Sequence, residues 1–98
     1  MPTNRLLYLS RADVECVALD MPVIIRLLED AFREKGLGNV EMPPKPGIHT
    51  QPNAFIHAMP AFIPSLESAG VKWVGGYPDN YKRGLPYISG LLRAVWWI

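Results

Sequence analysis

Residues 54–62 read AFIHAMPAF, apolar at nearly every position. Such a run predicts a strand buried on both faces, and Pro60, which cannot donate to a ladder, is expected to mark its end. Outward from this run the pattern recurs. Residues 71–74 (VKWV) predict a second strand, bounded by Gly70 on one side and by Gly75 and Gly76 on the other. Residues 87–98 supply a third apolar run, and GGYPDNYKRGLP, between the second and third runs, predicts a long exposed loop. Seven of the ten prolines fall between Pro43 and Pro78, a density that disfavours helices and suits short strands broken by turns. The second half of the chain is therefore expected to be mostly β.

The first half carries helix signals. Residues 6–9 (LLYL) predict a short strand, after which Ser10 offers a capping hydroxyl with Asp13 three residues on as its capping-box partner. A short helix is expected over 10–17. Asp20 repeats the start signal, Pro22 is tolerated in a first turn, and Val23, Ile24, Leu27, Leu28, Ala31 and Phe32 recur at helical spacing. This predicts a core helix over 21–35, with Arg26, Glu29, Asp30, Arg33 and Glu34 on its solvated face and Gly36 as the left-handed residue that ends it. Helices followed by strands give an α+β domain. There is no internal repeat.

At 98 residues, with 49% hydrophobic and 19% charged positions, the chain has the length and composition of one globular domain with a core of its own. A large cofactor cleft inside that core is not expected. Ten Lys and Arg against nine Asp and Glu give a net charge of +1, so a basic face for nucleic acid is not expected. Cys16 is the only cysteine; it fits a small core residue inside a helix and a reducing, cytoplasmic setting. Charges at Arg5, Arg11, Asp13 and Glu15 interrupt any signal-peptide core, and the apolar C-terminal run is broken by Ser89 and Arg93. A soluble protein with no membrane partner is expected.

Few residues carry chemistry. Lys72 interrupts an apolar strand, and an ammonium so placed pairs with an acid, snorkels to an edge or receives an anionic ligand. Lys45 lies in MPPKPG, where flanking prolines stiffen the backbone; the segment suits either a carboxylate-binding cation or a solvated turn lysine. His57 reads as a hydrogen-bonded structural residue or as a base, and His49 as a loop residue. Two histidines eight residues apart are weak metal evidence, and no metal site is expected. Met42, Met59, Phe55, Phe62 and Trp73 are either core or the lining of an apolar pocket. No G-x-S-x-G elbow, phosphate loop or G-x-G-x-x-G occurs, so no cofactor site is expected in this chain.

The ordered series EMPPKPGIH, FIHAMPAFIP, GVKWVGGYPDN and RGLPYISGLL, together with the opening LLYLSRADVE, resembles the N-terminal part of the ornithine cyclodeaminase and mu-crystallin family over about residues 6–92. The resemblance implies a substrate-binding domain of helices packed on a mostly antiparallel open sheet, which also forms much of a homodimer interface. It also implies a separate Rossmann domain, elsewhere in full-length members, that binds NAD(H) or NADP(H). Family members convert ornithine to proline with loss of ammonia or catalyse alanine dehydrogenase and ketimine reductase reactions; mu-crystallins bind NADPH and thyroid hormone. By position, Lys72 matches the lysine that contacts the substrate carboxylate and the reacting centre, which makes it the implied catalytic residue. Lys45 matches an Arg or Lys position that acts as a second carboxylate clamp. Met59 and Tyr87 match substrate-pocket positions, Tyr87 standing where some members have threonine.

The resemblance stops after Leu92. Residues 93–98 (RAVWWI) depart from the family's continuation toward the Rossmann domain and resemble a truncated terminus. The expected division is a family N-terminal domain over 1–92 and an atypical end over 93–98. Two functions follow. The chain is either the substrate-binding and dimerisation half of an NAD(P)-dependent oxidoreductase or deaminase acting on amino acids or imines, inactive alone, or a non-enzymatic, self-associating binding module.

Overall fold

The computed structural model describes residues 5–95. The last three residues of the expected 93–98 terminus lie outside the described residues, and 93–95 belong to a strand. The chain divides into two compact units, with the boundary between Asp30 and Ala31.

In the first unit, residues 6–9 form no regular element, contrary to the strand expected there. Apolar, β-prone residues become a strand only where a partner accepts their ladder, and the sheet's pairings do not include them. Helix α1 (Arg11–Cys16) starts as expected. The Ser10 hydroxyl accepts from the Asp13 N–H at 3.2 Å, and the Asp13 carboxylate accepts from the Ser10 N–H at 2.8 Å, completing the capping box. Arg11 and Glu15, one turn apart, form an ion pair at 2.8 Å. Cys16 ends α1 and is exposed, so it is not the core residue expected from its helical setting.

Helix α2 (Met21–Gly36) runs across the boundary between the units. The Asp20 carboxylate caps it by accepting from the Val23 N–H at 3.1 Å. Val23, Ile24 and Ala31 are half-buried, whereas Leu27, Leu28 and Phe32 are exposed. Helical spacing of apolar residues defines an apolar stripe without guaranteeing that a second layer covers it. The left-handed terminator is Gly38, at φ +77°, two residues later than expected. The Asn39 N–H donates to Glu34 C=O at 2.9 Å and the Gly38 N–H to Lys35 C=O at 3.1 Å. That Schellman pairing places the glycine two residues past the last helical one.

The second unit contains a four-stranded antiparallel sheet in sequence order: β1 (Gly47–Ile48), β2 (Phe55–Ile63), β3 (Ser68–Gly76) and β4 (Ile88–Val95). With the helices, this gives an α+β fold. Pro60 sits inside β2, opposite Val71, and does not end it. The N–H groups of Ala58 and Phe62 donate away from β3, to Pro46 and Glu41. The alternation of a strand therefore turns the nitrogen of Pro60 toward the same outer edge, between those two contacts, where no ladder donor is required. A 3-10 turn (Pro64–Leu66) joins β2 to β3.

The loop between β3 and β4 is exposed over residues 81–86, as expected, but it is not irregular throughout. Pro78–Arg83 form a 3-10 helix. The Asn80 side chain donates to Pro86 C=O at 3.1 Å, and the Tyr77 N–H donates to Tyr87 C=O at 2.9 Å, drawing the two ends together.

Burial falls short of what composition suggested. Ala54, 1% exposed, is the buried hydrophobic residue among those described, and Gly76 is also buried. Most of β2 is half-buried, where burial on both faces was expected, and every described residue of β4 is exposed.

Candidate functional site

The strand register sorts the site residues. Directly paired residues of an antiparallel sheet share a face, and alternate residues along each strand share it too. Met59 pairs with Lys72, and Lys72 pairs with Leu92. These three side chains therefore form one row across the sheet. On one flank the next row contains Gly47, His57, Val74 and Gly90; on the other it contains Ala61, Gly70 and Ala94. Lys72 is exposed and has no ion pair among the described residues. Of the alternatives open to a strand lysine, pairing with an acid is not the one adopted among the described residues.

Lys45 enters from the sheet edge. The Ala58 N–H donates to Pro46 C=O at 3.1 Å, and Gly47 pairs with His57. Carried two residues back, that register sets Lys45 against Met59, on the side of Lys72. Two strand spacings, each about 4.8 Å, separate the lysine backbones, a span that two flexible lysine side chains can bridge around a small anion. Before it, the chain accommodates one extra residue between the Glu41–Phe62 bridge and the Pro46 contact. This bulge falls in MPPK, where prolines hold the preceding residues extended.

Aromatic rings bound the row on one side. Phe55 and His57 stack with centroids 4.4 Å apart and planes at 24°. The His57 ring occupies the space that a Cβ on Gly47 would need, and the rings of Phe55 and Tyr87 fill the corresponding space above Gly76. Tyr87 thus stands beside this ridge, removed from the Met59–Lys72 row. His49 lies just beyond β1 and is exposed. The expected five-residue apolar lining divides between the two faces. Phe55 and Met59 share the Lys72 face, while Phe62 and Trp73 share the other. An open groove on that second side includes Met42, Pro60, Phe62, Val71 and Val95.

The sequence reading missed Leu92, the direct neighbour of Lys72 on β4, and the joint placement of His57 with the lysines. A signal for part of this was present. The two-residue period puts His57 and Met59 on one face of their strand, whereas Leu92 meets Lys72 across the longer 77–87 connection, whose register no local pattern fixes.

The face offers cationic and hydrogen-bonding groups above a floor of small residues. Such a surface can hold a carboxylate at the ammonium groups with an apolar body lying against Met59 and the floor formed by Ala61 and Gly70. It offers no metal cage: among the described residues there is no cluster of three metal-ligating side chains. No helix among the described residues is long and apolar enough to cross a membrane.

Comparison with known proteins gives a consistent result. The model of the ornithine cyclodeaminase/mu-crystallin family matches residues 6–92. The nodulation efficiency protein NfeD of Rhizobium meliloti is 45% identical over 85 residues, 87% of this chain and 27% of that protein. The alanine dehydrogenase of Archaeoglobus fulgidus is 35% identical over 86 residues, 88% of this chain and 26% of that protein. Among solved structures, the sheet and helices resemble an archaeal alanine dehydrogenase dimer with bound NAD (TM-score 0.74, 33% identity, 86% of this chain and 25% of that one). They also resemble the Δ1-pyrroline-2-carboxylate reductase of Thermococcus litoralis in complex with NADH and L-proline (TM-score 0.78, 35% identity, 89% of this chain and 27% of that one). The chain spans about a quarter of the length of these relatives.

Proposed function

The chain belongs to the ornithine cyclodeaminase/mu-crystallin family, and from that premise we propose that it supplies the substrate-binding face of an NAD(P)-dependent oxidoreductase or deaminase acting on amino acids or cyclic imines. The observation that carries this reading is the row joining Lys72, Met59 and, at the sheet edge, Lys45. Lys72 presents an ammonium with three donors and no acid paired with it among the described residues, so it takes the substrate carboxylate and stands beside the reacting carbon. Lys45, on its proline-stiffened segment, closes on the same anion from the edge. Met59 presses its polarizable thioether against the substrate's apolar body. Tyr87 bounds the pocket at the aromatic ridge.

NAD(H) or NADP(H) carries the hydride in the reactions of the full-length relatives. The described residues do not fit that group. Every pairing in the sheet is antiparallel, and among the described residues no strand leads through a glycine-rich turn into an α-helix. The reading therefore assigns the dinucleotide to another part of a full-length protein and assigns no turnover to this unit alone. Self-association as a twofold dimer belongs to the same reading. It is supported by the dimeric alanine dehydrogenase neighbour and by the exposed apolar residues of β4.

Calorimetric titration with L-proline tests the clamp. Binding that weakens about tenfold or more in Lys72→Met supports it, since a charge-assisted hydrogen bond contributes about 1.5–3 kcal/mol. Equal binding by the wild type and this variant overturns it. For the dimer, light scattering that shows a monomer at high micromolar concentration overturns the assignment.

A further inference from the structure

Among the described strand residues, the Lys72 face carries basic groups and no acid. Along its four strands the ionisable side chains on this face are Lys72 and His57, and the register adds Lys45 at the edge. No Asp or Glu occupies a position on this face in any of the four strands. A substrate whose side chain ends in an ammonium would meet like charge here, whereas a second carboxylate would meet complementary groups. We infer that this face takes a ligand with two carboxylates, His57 receiving the second. The inference rests on the carboxylate clamp proposed above and narrows its substrate class.

The placement of His57 supports this role. Its ring is half-buried and fixed between two supports, stacked on Phe55 and lying over Gly47. A fixed ring loses little conformational freedom when it binds. Its nitrogens have no hydrogen-bond partner among the described residues. Lying over Gly47, the ring leans toward the edge at which Lys45 emerges. One carboxylate held at Lys72 and Lys45 therefore leaves a second, a few bonds away, within reach of His57. Gly47 is what admits the imidazole, because a Cβ at that position would occupy the ring's place.

Titration of the full chain with acetate and with glutarate, at one pH and ionic strength, tests the inference. The expected result is glutarate binding about tenfold tighter than acetate, the gain of one charge-assisted hydrogen bond. In His57→Phe, which keeps a flat ring for stacking and removes both nitrogens, the ratio is expected to fall to about one. His57→Gln, which restores a donor, should recover part of it, and circular dichroism of each variant verifies that the sheet is intact. A wild-type ratio near one, or a ratio unchanged in His57→Phe, overturns the dicarboxylate inference while leaving the clamp standing. Failure of both acids to bind overturns the clamp and this inference with it.

Discussion

The two faces of the sheet are built from the same strands and differ in chemistry. In β3, Val71 and Trp73 point to one side and Lys72 and Val74 to the other. The Trp73 face continues through Phe62, Ile56 and Leu91, large apolar groups whose covering by a second layer is favourable. The Lys72 face alternates bulky residues with Gly47, Gly70, Gly76 and Gly90, leaving room above the backbone. In the proposed reading the first face packs and the second, where glycines leave space beside Lys72, receives the ligand. A single-residue slip in register would exchange the two faces, so the proposed clamp depends on the ladder as much as on the lysines themselves.

The sharpest way to break this comparison is to disturb the ladder. A Cβ on Gly70 would lie 2.6 Å from the carbonyl oxygen of Arg93, and one on Gly90 would lie 2.6 Å from that of Trp73. Backbone atoms cannot swing aside as the tip of a side chain can. Gly70→Ala and Gly90→Ala are each expected to destabilise the sheet by about 2–4 kcal/mol, read as a lower urea midpoint. Both faces should fail together, so ligand binding disappears along with the fold. Wild-type midpoints in these variants would show that β3 and β4 are less closely paired than the register indicates.

The next largest contrast lies between neighbours. Trp73→Ala should cost about 2 kcal/mol of stability, below the usual cost for a fully buried tryptophan because Trp73 is 49% exposed. Lys72→Met should change stability by less than about 0.5 kcal/mol while weakening carboxylate binding about tenfold. Urea denaturation and calorimetric titration of the two variants separate the roles. If Trp73→Ala lost binding at full stability, the division of labour between the faces would be wrong.

Much of this arrangement was legible in the sequence. The cap at Ser10, the start of α2 at Asp20 and the strand around VKWV follow from local chemistry that needs no distant partner. Period-two alternation also suffices to separate Phe55 and Met59 from Phe62, although grouping all of them in one apolar lining overlooked it. Other features depend on nonlocal contacts. LLYL has strand propensity but no ladder to join, and the apolar stripe of α2 does not itself determine how much of it is covered. The end of β2 was misplaced because Pro60 faces an edge, and which edge it faces is a property of the neighbouring strand.

The smallest expected effect concerns α1, outside both faces. The Asp13 carboxyl is held below its ordinary value of 3.8 chiefly by the backbone N–H of Ser10 and secondarily by the Ser10 hydroxyl. Because the folded pKa is the lower one, the stabilisation is fully present above the ordinary value and is lost as pH falls through the lowered one. NMR titration from about pH 6 to about pH 2 should therefore melt the capping box late. The amide signals of Met59 and Leu92 should not follow that transition, since their face carries no carboxylate. Ser10→Ala removes the hydroxyl and retains the backbone donor. Its Asp13 pKa should rise only partway toward 3.8, and the helix should lose about 1 kcal/mol of capping. A full return to the ordinary value would mean that the hydroxyl, rather than the backbone N–H, holds the carboxylate, and α1 would then depend on a single side chain.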